Sequence, residues 1–441
     1  MKTEFVSDIL KRGASNAEFV LLGWVRSKND KGGVIFLSMT DSTGSIQVVG
    51  DPQLLGIESF DALKRIPIES AVRIVGILVD DERARGGREI RATSFEVIGA
   101  ATRSLSPNPR SDIDIFDPRL TDQLLQNRHF YLRNPKVMAV LKFRHLLMGA
   151  VHEWFRENGF IEITAPVLTP LPLYDDRTAI PVQVHDEQVF MTQCVGFYLE
   201  AAVHAFERVY NIGPSFRGEE SRSKRHLMEY WHIKAELAFG NLEDIIGLTE
   251  SVIQYVIQRL EKEGSELAHV LGTEYCTDGV QIPYPRISYR EAVSLVQRVD
   301  SSFHFGMGLS SKEEELLSEQ FATPFWVVGI PRSIEPFPYV INPDDVEVTQ
   351  TADLIATRGF GELLGVAEKI NETPMLRERM QEKGKLEREE YRWLLELREM
   401  GCVPHIGFGL GVERFIRWLL QIEHVRDAIP FPRIFRRNIY P

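Results

Sequence analysis

The chain has 441 residues, more than one ordinary core accommodates, so two or three domains are expected. Its composition, 44% hydrophobic and 26% charged, excludes a disordered or fibrous chain. No apolar run approaches the roughly 20 residues that span a bilayer, and the net charge of −12 gives no support for binding nucleic acid by overall charge.

The first residues, MKTEFVSDILKRGASNAEF, carry charges where a signal peptide needs an apolar centre. Cys194, Cys276 and Cys402 are too widely spaced for a disulfide framework or a four-cysteine zinc site. A reducing, cytoplasmic compartment and no membrane association are therefore expected.

Residues 19–50 read as a β-meander: two alternating apolar segments flank a polar turn at Asn29–Gly33, and a second turn, Asp41–Gly44, leads into another strand. Residues 52–66 have helical spacing. Two further strands are expected at 71–80 and 89–98, joined by the Arg-Gly-Gly turn at 85–87. Five short strands with one interposed helix suggest a small closed barrel of the OB type over residues 1–102. Residues 103–135 are rich in Pro, Ser, Asn, Asp and Arg and read as a linker. From 136 to the end, long helices and longer strands alternate, which indicates an α+β domain. Residues 136–158 carry apolar residues at helical spacing before Gly159, and FIEITAPVL follows as a strand. The charge of the helical stretch 371–399 reads as a solvated face.

There is no P-loop, no dinucleotide glycine spacing, no His-Glu-x-x-His and no serine nucleophile elbow. Three other segments carry chemistry. At 216–236 a strand enters a loop with four cations and a histidine and returns as a strand. Such a loop can grip a polyphosphate, because guanidinium makes bidentate contacts to phosphate oxygens. At 407–419 a glycine-rich strand enters an amphipathic helix with Arg414 at its start. Asp353 and Glu362 place two carboxylates near a strand end and in the turn after it, a pattern suited to Mg2+ beside a triphosphate.

In this order the segments resemble class II aminoacyl-tRNA synthetases of the aspartate, asparagine and lysine subgroup, and among them the asparaginyl enzymes. FIEITAPVLTP resembles motif 1, with Pro166 at a dimer interface. FRGEES…RHLMEYWHIKAELAF resembles motif 2, and GFGLGVERFIRWLLQIEHVRDAIPFPR resembles motif 3. The resemblance spans nearly the whole chain. It implies an anticodon-reading OB barrel, a catalytic domain over 136–441 built on a six-stranded antiparallel sheet flanked by helices, and a homodimer. It also implies an ATP-dependent ligase that activates an amino acid or related carboxylate and transfers it to tRNA.

The same resemblance implies residue roles. Arg217, Glu219 and Arg414 are the catalytic set. Arg217 contacts the α-phosphate and the carboxylate, Glu219 lies near the adenine or the amino acid, and Arg414 clamps ATP from the other face. Arg225 and His226 hold the outer phosphates, Tyr230 stacks on adenine, and Asp353 and Glu362 bind Mg2+. In the barrel, Arg26, Phe36, Gln47 and Glu89 match the anticodon positions, with Phe36 as a stacking platform.

The amino-acid pocket, assigned to Cys194, Gly196, Glu229 and Lys369, departs from the family pattern. A family serine becomes Cys194, the glutamine that holds the amino acid becomes Gly196, and the side-chain-binding arginine becomes Lys369, which keeps the charge and loses the planar fork. Two alternatives follow: a paralogue that passes another acid to a non-tRNA amine as an amide ligase, and a non-catalytic tRNA-binding or regulatory protein.

Overall fold

Along the strands of the first hundred residues buried apolar side chains recur at every second position, as in Val34–Thr40 and Ser45–Gly50, and a pleated strand turns them to one face. The computed structural model describes residues 1–84, 86–172, 176–221 and 223–440. It divides into two compact units, Met1–Ile113 and Asp114–Pro441.

The first unit is a closed barrel of β1 (Glu18–Lys31), β2 (Val34–Thr40), β3 (Ser45–Gly50), β4 (Ala71–Asp80) and β5 (Arg88–Gly99), in the order β1-β2-β3-β5-β4. β4 closes antiparallel onto β1, and β3 pairs parallel with β5. Ile35, Leu37 and Met39 of β2, Ile46 and Val48 of β3, and Val72, Ile74 and Leu78 of β4 fill the interior. The expected turn at Asn29–Gly33 is shorter than read, because β1 continues to Lys31 and only Gly32-Gly33 turn. Arg85, in the expected Arg-Gly-Gly turn, lies outside the described residues. The expected helix 52–66 is two helices, Pro52–Leu55 and Ile57–Arg65, because Gly56 between them takes φ 75°, which no helix continues through. The 103–113 part of the expected linker belongs to this unit: Arg110 donates to Glu69 at 3.0 Å and its guanidinium sits 5.1 Å above the Trp24 ring.

The second unit is built on an eight-stranded sheet of the described residues. Its strands are β6 (Ile161–Glu162), β10 (Arg208–Phe216), β11 (Glu229–Ala238), β12 (Arg286–Ser288), β13 (Phe325–Val328), β14 (Thr351–Ala356), β15 (Gly361–Lys369) and β16 (His405–Gly411). The order is β12-β13-β14-β15-β16-β11-β10-β6. The six strands from β13 to β10 are antiparallel throughout, as expected, and one short strand adds in parallel at each edge, β12 on β13 and β6 on β10. Strands β7 (Leu168–Thr169), β8 (Pro181–Val184) and β9 (Glu187–Met191) form a separate three-stranded sheet.

One face of the large sheet packs under helices. Asn134 caps helix Pro135–Glu157 by accepting from the Lys136 amide at 2.9 Å, with Pro135 at the first helical position. That helix and Leu242–Arg259 bury Phe143, Leu147, Phe155, Ile253 and Ile257 against Ile233, Ala235, Ile406 and Leu410 of the sheet. The opposite face of the same strands carries the polar residues described below.

Two expectations are corrected. FIEITAPVL is not one strand: it pairs only at β6 and again at β7, because Pro166 between them has no amide to donate. The charged stretch 371–399 is not simply a solvated face. Its helices Thr373–Glu382 and Arg392–Glu399 bury Arg379 and Arg398. No helix among the described residues is long and apolar enough to cross a membrane.

Candidate active site

The polar face of β11, β14, β15 and β16 floors a cavity of about 360 Å³. Tyr230, His232, Lys234 and Glu236 line it from β11, because alternate residues of a strand share a face. In the middle of the floor, Gly365 of β15 pairs with Gly409 of β16, which pairs with Lys234. The glycines leave room for neighbouring side chains to lie across the sheet. A Cβ on Gly409 would stand 2.8 Å from Lys234 Nζ, and one on Gly365 would stand 2.9 Å from Asp353 Oδ1. Lys234 and Asp353 thus reach over the floor from opposite sides.

One end of the cavity is a cluster of cations and carboxylates. Arg217 follows β10, and its amide donates to the Met228 carbonyl at 2.9 Å, which holds the base of the 217–228 loop together. Its guanidinium lies 5.9 Å from the Tyr230 ring and donates to Glu219 Oε1 at 3.4 Å. Tyr230, Glu219 and Glu362 all favour its charged form, and they outweigh burial. Arg414, in the first turn of helix Val412–Leu419, donates to both Glu362 Oε2 and the Glu362 carbonyl at 3.1 Å. Arg225 is paired with Glu314, whose carboxylate also accepts the Glu362 amide at 2.8 Å. His226 Nδ1 is held by the Ser223 and Ser221 hydroxyls at 2.7 and 3.1 Å.

The carboxylates differ in charge. Burial raises Asp353 well above the usual carboxylate range, and Glu362, Glu335 and Glu314 raise it further. Burial and then Glu362 push Glu335 up to about 7. Glu362 is half-buried, which raises it, yet Arg414, Arg217 and Arg225 hold it below the usual range. Crowded, half-buried, oxygen-only donors lining a cavity suit a hard divalent cation, so the residues present fit Mg2+.

Gly361 has φ 79°, and a Cβ there would fall on the Arg225 guanidinium. Gly361→Ala is expected to cost about 1–2 kcal/mol in backbone strain and to dislodge Arg225. The check is a urea-unfolding midpoint, which should fall.

The other end of the cavity holds a buried ion network. Lys369 Nζ lies 3.4 Å from Glu200 and 3.8 Å from Glu236. Arg398 donates to the same Glu200 at 2.5 Å. Burial opposes the Lys369 charge, but Glu236 and Glu200 hold it on. Glu236 is itself pushed up to about 7 by burial, against the pull of Lys369.

The structure therefore brings Arg217, Arg225, His226, Tyr230, Asp353, Glu362, Lys369 and Arg414 to one cavity. Asp353 is in mid-strand and Glu362 near the start of the next strand, not in the turn between them. Cys194, Gly196, Glu219 and Glu229 do not line the cavity. Cys194 is buried and accepts from the Gly196 amide at 3.4 Å, Gly196 opens helix Gly196–Phe206, and Glu229 bridges to Arg433. Lys234, Glu236, Glu335, Glu200 and Arg398 were not anticipated. Only the strand period running on from Tyr230 pointed to the first two.

In the barrel, Glu89, Gln47 and Ser38 are register neighbours across β5, β3 and β2, and Gln47 donates to Glu89 at 2.8 Å. Phe36 lies two residues from Ser38 on the same outer face, half-exposed between buried Ile35 and Leu37. Arg26 sits at the irregularity in β1 opposite β2.

The family of tRNA synthetases class II (D, K and N) matches residues 121–434, and the OB-fold nucleic acid binding domain matches residues 19–98. The chain is 37% identical over 423 residues to the asparagine–tRNA ligase of Pyrococcus furiosus, covering 96% of this chain and 95% of that one. It is 33% identical over 442 residues to the asparagine–tRNA ligase of Thermus thermophilus, covering 98% and 99%. The crystal structure of asparaginyl-tRNA synthetase from Pyrococcus horikoshii, complexed with asparaginyl-adenylate, superposes with a TM-score of 0.92 at 34% identity over 100% of both chains.

Proposed function

This chain belongs to the class II tRNA synthetases of the D, K and N group, and from that premise we propose that it activates an amino-acid carboxylate with ATP and transfers the acyl group to tRNA. A carboxylate oxygen attacks the α-phosphorus, the bond to the pyrophosphate oxygen breaks, and an acyl-adenylate forms. A ribose hydroxyl of tRNA then attacks the acyl carbonyl, and AMP leaves. Neither step needs a side-chain nucleophile, so positioning and charge neutralisation supply the catalysis.

The observation that carries this reading is the convergence of Arg217 and Arg414, from separate segments, on one cavity beside Glu362 and Asp353. Arg217 neutralises the charge that builds on the α-phosphate, and Glu219 orients it. Arg414, oriented by Glu362, clamps the nucleotide from the opposite side. Arg225 and His226 take the outer phosphates, and Tyr230 takes the adenine. Asp353 and Glu362 would hold Mg2+, which when bound offsets the polyphosphate charge. Lys369, Glu236 and the residues around them form the amino-acid end. With both clamp arginines facing the cavity, nothing among the described residues favours the non-catalytic reading, and nothing favours the amide ligase.

The test is ATP–pyrophosphate exchange with the standard amino acids and with aspartate and asparagine analogues, followed by acid-precipitable charging of tRNA. Exchange with one acid and charging with the same acid is expected, and asparagine, the acid named in the relatives, is the first to try. No exchange with any acid, despite ATP binding, would overturn the reading.

The outer barrel face is the anticodon reader in this proposal. Phe36→Ala removes a stacking platform worth about 1–3 kcal/mol per base. It is expected to raise the KM for tRNA in charging about tenfold while exchange without tRNA stays unchanged. Loss of exchange in this variant would count against a role confined to tRNA. A homodimer through the segment around Pro166 and a cytoplasmic location belong to the same proposal. Sedimentation velocity reads the first.

A further inference from the structure

Behind the Lys369 end of the cavity lies a cluster that the proposed chemistry does not use. His204 stands in the last turn of helix Gly196–Phe206, Cys402 precedes β16, and His405 is the first residue of that strand. One ligating atom from each lies within 4.8 Å of the other two. His204 Nε2 is 3.1 Å from Cys402 Sγ.

The tautomers follow from what each ring faces. His204 Nδ1 meets the Glu200 carbonyl at 2.6 Å, and His405 Nδ1 meets the Val403 carbonyl at 2.9 Å. A carbonyl only accepts, so each Nδ1 carries the hydrogen and Nε2 is the atom left to face a ligand. Burial opposes charge on His405, but Cys402 and Glu200 outweigh it and raise the ring to about 9, so an ion bound there would displace the Nε2 proton. Carbonyls that anchor Nδ1 while Nε2 points at a common centre are the outer-shell arrangement of metal-ligating histidines. His405 is buried, and its Nε2 has no hydrogen-bond partner. The Val403 amide approaches His204 Nε2 at 3.3 Å, a long contact that ligation would displace.

We propose that His204 Nε2, Cys402 Sγ and His405 Nε2 form a binding site for a divalent ion of the zinc class. Two imidazoles and a thiolate are the donors such an ion selects. Tetrahedral ligation at about 2.1 Å to nitrogen and 2.3 Å to sulfur puts the donor atoms about 3.5 Å apart, so small side-chain rotations close the site. Glu200 Oε2, 3.6 Å from His405 Nε2, supplies nearby negative charge. Glu200 also links this site to the cavity, since its carboxylate faces Lys369 and its carbonyl holds His204. The ion is a brace for the wall behind the amino-acid end. The inference does not rest on the proposed activity.

The test uses the full-length protein purified without chelator. About one zinc per chain is expected by elemental analysis, and replacement with Co2+ should give the visible bands of a tetrahedral site plus a sulfur-to-cobalt charge-transfer band. Cys402→Ser should abolish the charge-transfer band. His204→Ala, at a half-buried helix position, should lower the zinc content at least tenfold while far-ultraviolet circular dichroism is unchanged, and it serves if the serine variant does not fold. Less than about 0.1 equivalent of metal after dialysis against zinc, or a cobalt spectrum indifferent to both substitutions, would overturn the proposal.

Discussion

Arg217→Ala lowers the rate of ATP–pyrophosphate exchange by about 10²–10³-fold, the usual loss when one preorganised group facing transition-state charge is removed. The expectation rests on three features of the site. Arg217 is held in place by the Met228 carbonyl through its backbone and by Glu219 through its side chain. Its charge is secured by Tyr230, Glu219 and Glu362. It also lies at the cavity end opposite Lys369, where the α-phosphorus must sit if the acid occupies the Lys369 end. Arg217→Lys should recover only part of the rate, because an ammonium lacks the planar two-pronged fork. The urea midpoint of either variant should stay near that of the parent. A drop in exchange of less than about threefold in Arg217→Ala would remove this residue from the catalytic set.

Glu200→Gln is expected to destabilise the second unit by about 3–5 kcal/mol, the range for deleting one partner of a buried ion pair. Glu200 is fully buried and faces Arg398 at 2.5 Å, Lys369 at 3.4 Å and His405 at 3.6 Å. The amide keeps the shape and removes the negative charge that all three face, so Arg398 loses its buried carboxylate and Lys369 keeps only Glu236 among the described residues. Five of the six tryptophans lie in the second unit, so fluorescence-detected urea unfolding reads that unit. Because Lys369 would be freed from one of its two carboxylates, the KM for the amino acid should change while that for ATP does not. A stability loss below about 1 kcal/mol would mean that water reaches the network and screens it.

Much of the nucleotide end was legible in sequence. Its residues sit in short local units, a strand-loop-strand and a strand-helix, and it was the resemblance of those segments to class II synthetases that singled out Arg217, Arg225, His226, Tyr230 and Arg414, which the structure brings to one cavity. The Lys369 end of the cavity was less legible. Cys194, Gly196 and Glu229 were placed there by matching segments, yet a buried thiol, a helix start and a strand-edge bridge keep them off the cavity surface. Lys234 and Glu236 follow Tyr230 at the strand period and could have been counted, but nothing along the chain says how far a cavity runs down a strand.

The sequence alone determined most strand and helix periods, the change of texture between the barrel and the second unit, and the cationic character of the 216–226 loop, because each of these depends on residues within about a dozen positions of one another. Tertiary structure decided which charges meet. Glu200, Glu236, Lys369, Arg398 and His405 come from one helix, three strands and a second helix, and none is near another in sequence except Arg398 and His405, which lie before and at the start of β16. A buried charge is tolerated only with its counter-charge in contact, and that contact is made by the folding of the sheet, not by spacing along the chain.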